Sequence, residues 1–107
     1  MNTDCVIVWT TIAEGADAAT LAATLVRERL AACVNVLGEM DSHYWWKGDV
    51  EAARERQLIM KTTAEKVSAL HARLHQLHEY DLPEFIVLPV VGGSDAYLAW
   101  IRESTRG

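Results

Sequence analysis

The chain has 107 residues, half of them hydrophobic and 23% charged, with a formal net charge of −5. That describes one folded domain with a modest core, spanning residues 1–107, rather than a disordered segment. The acidic balance and the lack of basic clusters exclude a general nucleic-acid binder, and no apolar run reaches the roughly 20 residues of a membrane-spanning helix.

The start, Met1-Asn2-Thr3-Asp4-Cys5, lacks the basic and long apolar regions of a secretory signal. A cytoplasmic location is therefore expected. The two cysteines, Cys5 and Cys33, sit in apolar strand-like runs and are expected to be free, buried thiols.

Val6 to Ile12 is a near-continuous β-type run whose lack of alternation predicts a strand covered on at least one face. Glu14-Gly15-Ala16-Asp17 breaks it. A helix follows, with Asp17 at its N-terminus and an apolar stripe of Ala18, Leu21, Ala22, Leu25 and Leu30.

From Ala31 to Thr63 the sequence predicts a long antiparallel hairpin turning at Lys47-Gly48-Asp49, where Gly48 permits a positive φ. Gly38 to Asp41 predicts an irregularity in the first arm. Each arm of about 13 residues would run roughly 40 Å. A helix of about 16 residues covers only about 24 Å. An apolar, aromatic-rich ribbon that outruns its own helices needs another cover, and a second copy of the chain supplies one.

Thr62-Thr63-Ala64-Glu65 fits a capping box opening a second helix. Val67, Leu70, Leu74 and Leu77 form its apolar stripe. Tyr80-Asp81-Leu82-Pro83 stops it. Glu84 to Val91 predicts a fourth strand, with Pro89 at an edge or bulge because it has no N–H to donate. Gly92-Gly93 turns the chain, and Ser94 caps a last helix bearing Tyr97, Leu98, Trp100 and Ile101. The order β-α-β-β-α-β-α predicts an α+β, ferredoxin-like βαββαβ sandwich with an extended β2-β3 hairpin and a C-terminal helix. Its helix-free sheet face is a second reason to expect oligomers.

No nucleotide loop, CxxC pair or nucleophile elbow is present. Ser42 and Ser94 lack a partner base, and Asp49 and Glu51 flank a turn as solvated acids. No catalytic residue is expected, and the chain reads as a non-enzyme. His71, His75 and His78, placed on the second helix, would fall within about 60° of arc beside the buried stripe. Two readings stand: a polar helix face that happens to use histidine, or ligands for Cu(II), Ni(II) or Zn(II), with His71 and His75 at i, i+4. No cation is expected to be needed for folding. Lys61 is either an edge lysine or an anion contact. Trp45 and Trp46 must face opposite sides of a strand, so at most one lies in the monomer core.

Arg29 to Asn35, the hairpin tip Ser42 to Gly48, Leu58 to Thr63, Tyr80 to Val90 and Tyr97 to Ile101 together resemble the CutA divalent-cation tolerance family, in order and across essentially the whole chain. The resemblance implies a homotrimer built by the long hairpins, similar to the PII signalling proteins. It also implies tolerance to copper and other divalent cations. An intersubunit cleft lined by Trp46, Glu55, Lys61, Tyr80 and Glu84 would bind a small ligand or a metal complex, and His78, with His71 or His75, would supply imidazole ligands. Five positions depart from the family pattern. Thr10 stands where copper-binding members carry Cys, Leu77 where they can carry a first His, and Glu79 where a Pro is usual. Ala52-Ala53 replaces an acidic pair. The alternatives are a PII-like small-molecule sensor or a trimeric scaffold, neither needing metal. An acylphosphatase would share the fold, but Ile12-Ala13-Glu14-Gly15 offers no Arg for its anion loop.

Overall fold

The computed structural model describes residues 3–107. The elements run β1 (Cys5–Ala13), α1 (Ala18–Arg27), β2 (Cys33–Trp46), β3 (Asp49–Thr63), α2 (Val67–Leu77), β4 (Ile86–Pro89) and α3 (Asp95–Ser104). The sheet order is β2-β3-β1-β4, and every neighbouring pair is antiparallel. This is the ferredoxin-like α+β arrangement. Pro89 pairs with Val6 on the edge strand β4, where its missing N–H costs least.

Asp17 caps α1 by accepting from the Thr20 N–H at 3.0 Å, and Ser94 caps α3 by accepting from the Tyr97 N–H at 3.2 Å. The capping box at Thr62–Glu65 does not form. Ala64–Lys66 is a 3-10 turn, and neither it nor α2 has a side-chain cap. Thr62 donates its hydroxyl to the Leu30 carbonyl instead, at 2.8 Å. Its strand, buried under α1, captures it first.

The hairpin turns over two residues, Lys47 (φ 51°) and Gly48 (φ 83°), with Trp46 facing Asp49. Positive φ at both central positions is the type I′ turn, whose twist matches that of the strands. The register shifts between Val36 and Glu39, at Gly38. The arms have 14 and 15 residues, whereas α1 and α2 have 10 and 11. Both helices are shorter than the sequence suggested, about 15–17 Å each, against a molecule 44 Å long.

Side chains alternate across the sheet. Val8, Leu58 and Met60 face α1 and α2 and meet Leu25, Leu70 and Leu74 in the main core, all fully buried. Each such side chain contributes about 1.5–3 kcal/mol. The opposite face carries Ile7, Trp9, Ile59, Ile86 and Leu88 by the same alternation and pairing. There α3 covers only one end, packing Leu98 and Ile101 on Cys5 and Ala32. Trp9 stays 40% and Ile86 48% exposed. Cys5 is buried and Cys33 only half-buried, both free. Neither hairpin tryptophan enters the monomer core, and Trp45 is 75% exposed.

Candidate functional site

A cleft of about 860 Å³ lies between the hairpin and the segment that follows α2. On its sheet side, alternation and register place Tyr44 and Trp46 of β2 on one face with Glu55 and Gln57 of β3. Its other wall is the 79–84 segment, with Tyr80 and Glu84. Four of the five expected cleft residues, Trp46, Glu55, Tyr80 and Glu84, therefore do line one cavity.

Lys61 does not join them within one chain. It pairs with Cys33 and Ile7, six residues along β3 from Glu55, or about 20 Å. There its ammonium lies 5.7 Å from the Tyr97 ring centroid.

Glu55 is only 7% exposed. The Tyr80 hydroxyl donates to its Oε2 at 2.8 Å. Burial first, and then this bond to a carboxylate, hold the Tyr80 phenol well above the usual tyrosine range. Gln57 was not anticipated. Its Nε2 donates to the Thr10 carbonyl at 2.7 Å and to Glu84 Oε2 at 2.9 Å, and so fixes the far wall to β1. The available signal was its position two residues beyond Glu55, on the same strand face.

His78 lies outside α2. The helix ends at Leu77, and His78 has extended backbone at φ −85°, ψ 143°. The shared helical arc expected for three histidines thus reduces to His71 and His75. His78 Nε2 lies 2.6 Å from the Thr11 carbonyl oxygen, and Nδ1 accepts the Tyr80 N–H at 3.0 Å. A neutral ring with its proton on Nε2 satisfies both contacts and leaves no lone pair for a metal. His71 stacks on Phe85 with centroids 4.3 Å apart, and His75 is exposed in the last turn of α2. Among the described residues of one chain, no three His, Cys, Asp or Glu side chains gather as a metal-binding group. Residues 52 and 53, alanine here, add no acid to the upper part of β3 beyond Asp49 and Glu51; Arg54 draws together Glu14, Glu39 and Asp41 at 2.8–3.1 Å on the helix-side face.

The profile of the CutA1 divalent ion tolerance proteins matches residues 6–104. The chain belongs to this family. It is 44% identical over 88 residues to the divalent-cation tolerance protein CutA of Thermus thermophilus, covering 82% of this chain and 85% of that one. It is 41% identical over 101 residues to the chloroplastic Protein CutA 1 of rice, covering 94% of this chain but 57% of the relative. The chain thus spans a little over half the length of the plant relative it matches. The crystal structure of CutA from Xylella fastidiosa superposes with a TM-score of 0.93 at 39% identity, covering 97% of this chain and 100% of the other. The family is named for divalent-cation tolerance rather than for a catalysed reaction. Among the described residues no helix is long and apolar enough to cross a membrane.

Proposed function

We propose that this CutA chain acts in divalent-cation tolerance as a cytoplasmic homotrimer that binds a cation or a small ligand and catalyses no reaction. The observation that carries self-association is the open sheet face, where Trp9 and Ile86 stay about half exposed beside Ile7, Ile59 and Leu88. A monomeric chain rarely leaves such a continuous apolar surface in water.

Copper or another divalent cation is the proposed ion. Two imidazoles that could hold it together on one chain are His71 and His75, one helical turn apart on α2. His78 joins them only by giving up Thr11 and Tyr80. Native mass spectrometry with one equivalent of Cu(II) per chain tests both halves. A trimer that carries copper, and loses it on His71→Ala or His75→Ala, is the expected result. Copper affinity should also fall in acid, because ligation requires the neutral imidazole. A monomer would remove the basis of the reading.

The cleft supports a second reading, a trimeric sensor of a small molecule without metal. Its volume of about 860 Å³ is of the size that takes such ligands. A thermal-shift screen of metabolites and nucleotides would identify a stabilising compound.

A further inference from the structure

We propose that Glu55 is completed by Lys61 of a neighbouring copy of the chain, and that a ring of such pairs sets how the copies lie against one another. The inference rests on the self-association proposed above and names the contact that fixes its geometry.

The first observation is an acid that its own chain leaves without a counter-charge. Glu55 is 7% exposed, and its carboxylate accepts from the Tyr80 hydroxyl. That donor is neutral. Among the described residues Glu55 belongs to no ion pair. Acids this buried are normally paired, because taking a carboxylate out of water without a cation is costly.

The second observation is the matching cation. Lys61 is partly buried and also belongs to no ion pair among the described residues; its ammonium rests 5.7 Å from the Tyr97 ring centroid. Alternation and register put Lys61 on the helix-free face, with Ile7, Trp9 and Ile59. Across the four described strands it is the one Lys or Arg on that face.

The third observation is that the two cannot meet within a chain. Both stand on the same face of β3, six residues or about 20 Å apart. That face is the apolar one that a second copy is proposed to cover. A copy laid on it with Lys61 over Glu55 brings each charge its partner and shields both from water, where a paired charge is costly to break. In a cyclic trimer the contact is heterologous. Each chain gives Glu55 to one neighbour and Lys61 to the other, so three identical pairs close the ring.

Native mass spectrometry of the full chain over a dilution series tests this, with circular dichroism as the check on folding. Lys61→Glu sets like charges together and should weaken assembly about tenfold or more. Glu55→Lys should do the same, and the double swap Glu55→Lys/Lys61→Glu should recover assembly relative to either single variant. Tyr80→Phe, which removes the hydrogen bond and keeps the charge, measures the part of the Glu55 effect that Lys61 does not cause. If Glu55→Lys does not fold, Glu55→Gln and Lys61→Met in a double-mutant cycle take its place, and their effects should be coupled rather than additive. A mixture of the two charge-reversal single variants should assemble only in part, because every three-membered ring of them keeps one like-charged contact. Full recovery in that mixture would replace the ring with a two-fold pair and overturn the proposal. A trimer indifferent to Lys61→Glu, or unrescued by the swap and additive in the cycle, would overturn the pair and leave the trimer standing. A parent chain that stays monomeric would remove both.

Discussion

Tyr80 and Glu55 are joined by a 2.8 Å hydrogen bond that ties the segment after α2 to the middle of β3. The bond closes one side of the cleft. Among the described residues it also gives a carboxylate that is 7% exposed its only hydrogen bond. The phenol stays neutral because burial and the adjacent negative charge both oppose ionisation.

Tyr80→Phe should therefore destabilise the chain by about 1–3 kcal/mol, the usual cost of leaving a buried acceptor unsatisfied. Urea unfolding measures it. The pH dependence has a definite sign. A phenol whose folded value is raised contributes stability that is fully present below its unfolded value of about 10 and is lost as pH rises through the folded value. The parent chain should lose stability more steeply than Tyr80→Phe above about pH 10. Parallel alkaline limbs would show that Tyr80 is not held as the geometry implies.

Much of this architecture was legible because local chemistry and global topology agreed. Gly48 marked the turn, Gly38 the bulge, Pro89 the edge, and Asp17 and Ser94 the caps. The misses share a cause, which is that tertiary partners overrode a local pattern. The spacing of Leu70, Leu74 and Leu77 extended the helical reading through His78, but β1 offers the Thr11 carbonyl and draws that ring off the helix axis. Thr62 and Glu65 fit a cap by spacing, yet Leu30 takes the hydroxyl. Nothing in the period of β3 told that Gln57 would bridge β1 and Glu84, or that Lys61 would lie against Tyr97 of α3. Those are contacts between elements far apart in sequence.

His78→Ala should loosen the cleft wall without unfolding the domain. The ring makes two contacts, to the Thr11 carbonyl and from the Tyr80 N–H. Each typically contributes about 0.5–1.5 kcal/mol. Hydrogen exchange at the Tyr80 amide should accelerate about tenfold, with core amides of β1 and β3 much less affected. Unchanged protection at Tyr80 would mean that this amide is held by something other than the ring.

The acid limb of stability should report on the helix pair. Arg73 of α2 grips Glu28, just past α1, with Nε–Oε1 and Nη2–Oε2 both at 2.9 Å. These bonds lower the Glu28 carboxyl below its ordinary range, and the Thr20 hydroxyl and N–H lower Asp17 in the same way. A lowered carboxyl contributes stability present above its unfolded value, about 4, and lost as pH falls through the folded value. Melting temperature should drop between about pH 4.5 and pH 3, and drop less for Glu28→Gln. The difference should shrink in high salt, since both partners are partly exposed.

Arg29 is the residue whose substitution has the least intuitive sign. α1 closes with the Leu30 N–H bonded to the Leu25 carbonyl and the Arg29 N–H to the Val26 carbonyl, each at 3.0 Å. That is the Schellman pattern, and its left-handed position usually holds glycine. Here Arg29 sits at φ 65°. A Cβ in that region costs roughly 1–2 kcal/mol. Its guanidinium offsets part of the cost by donating to the Ser104 carbonyl at 3.1 Å, at the end of α3. Arg29→Ala keeps the backbone cost and removes that bond, so it should destabilise by about 0.5–1 kcal/mol. Arg29→Gly removes both, so it should exceed Arg29→Ala in stability by about 1 kcal/mol. In a helix interior the order is reversed, with glycine the weaker by 0.5–1 kcal/mol. Chemical denaturation of the two variants side by side decides the matter. A glycine variant no more stable than the alanine one would mean that the chain relaxes out of the left-handed conformation at no cost, and that the close of α1 is not fixed by its hydrogen bonds.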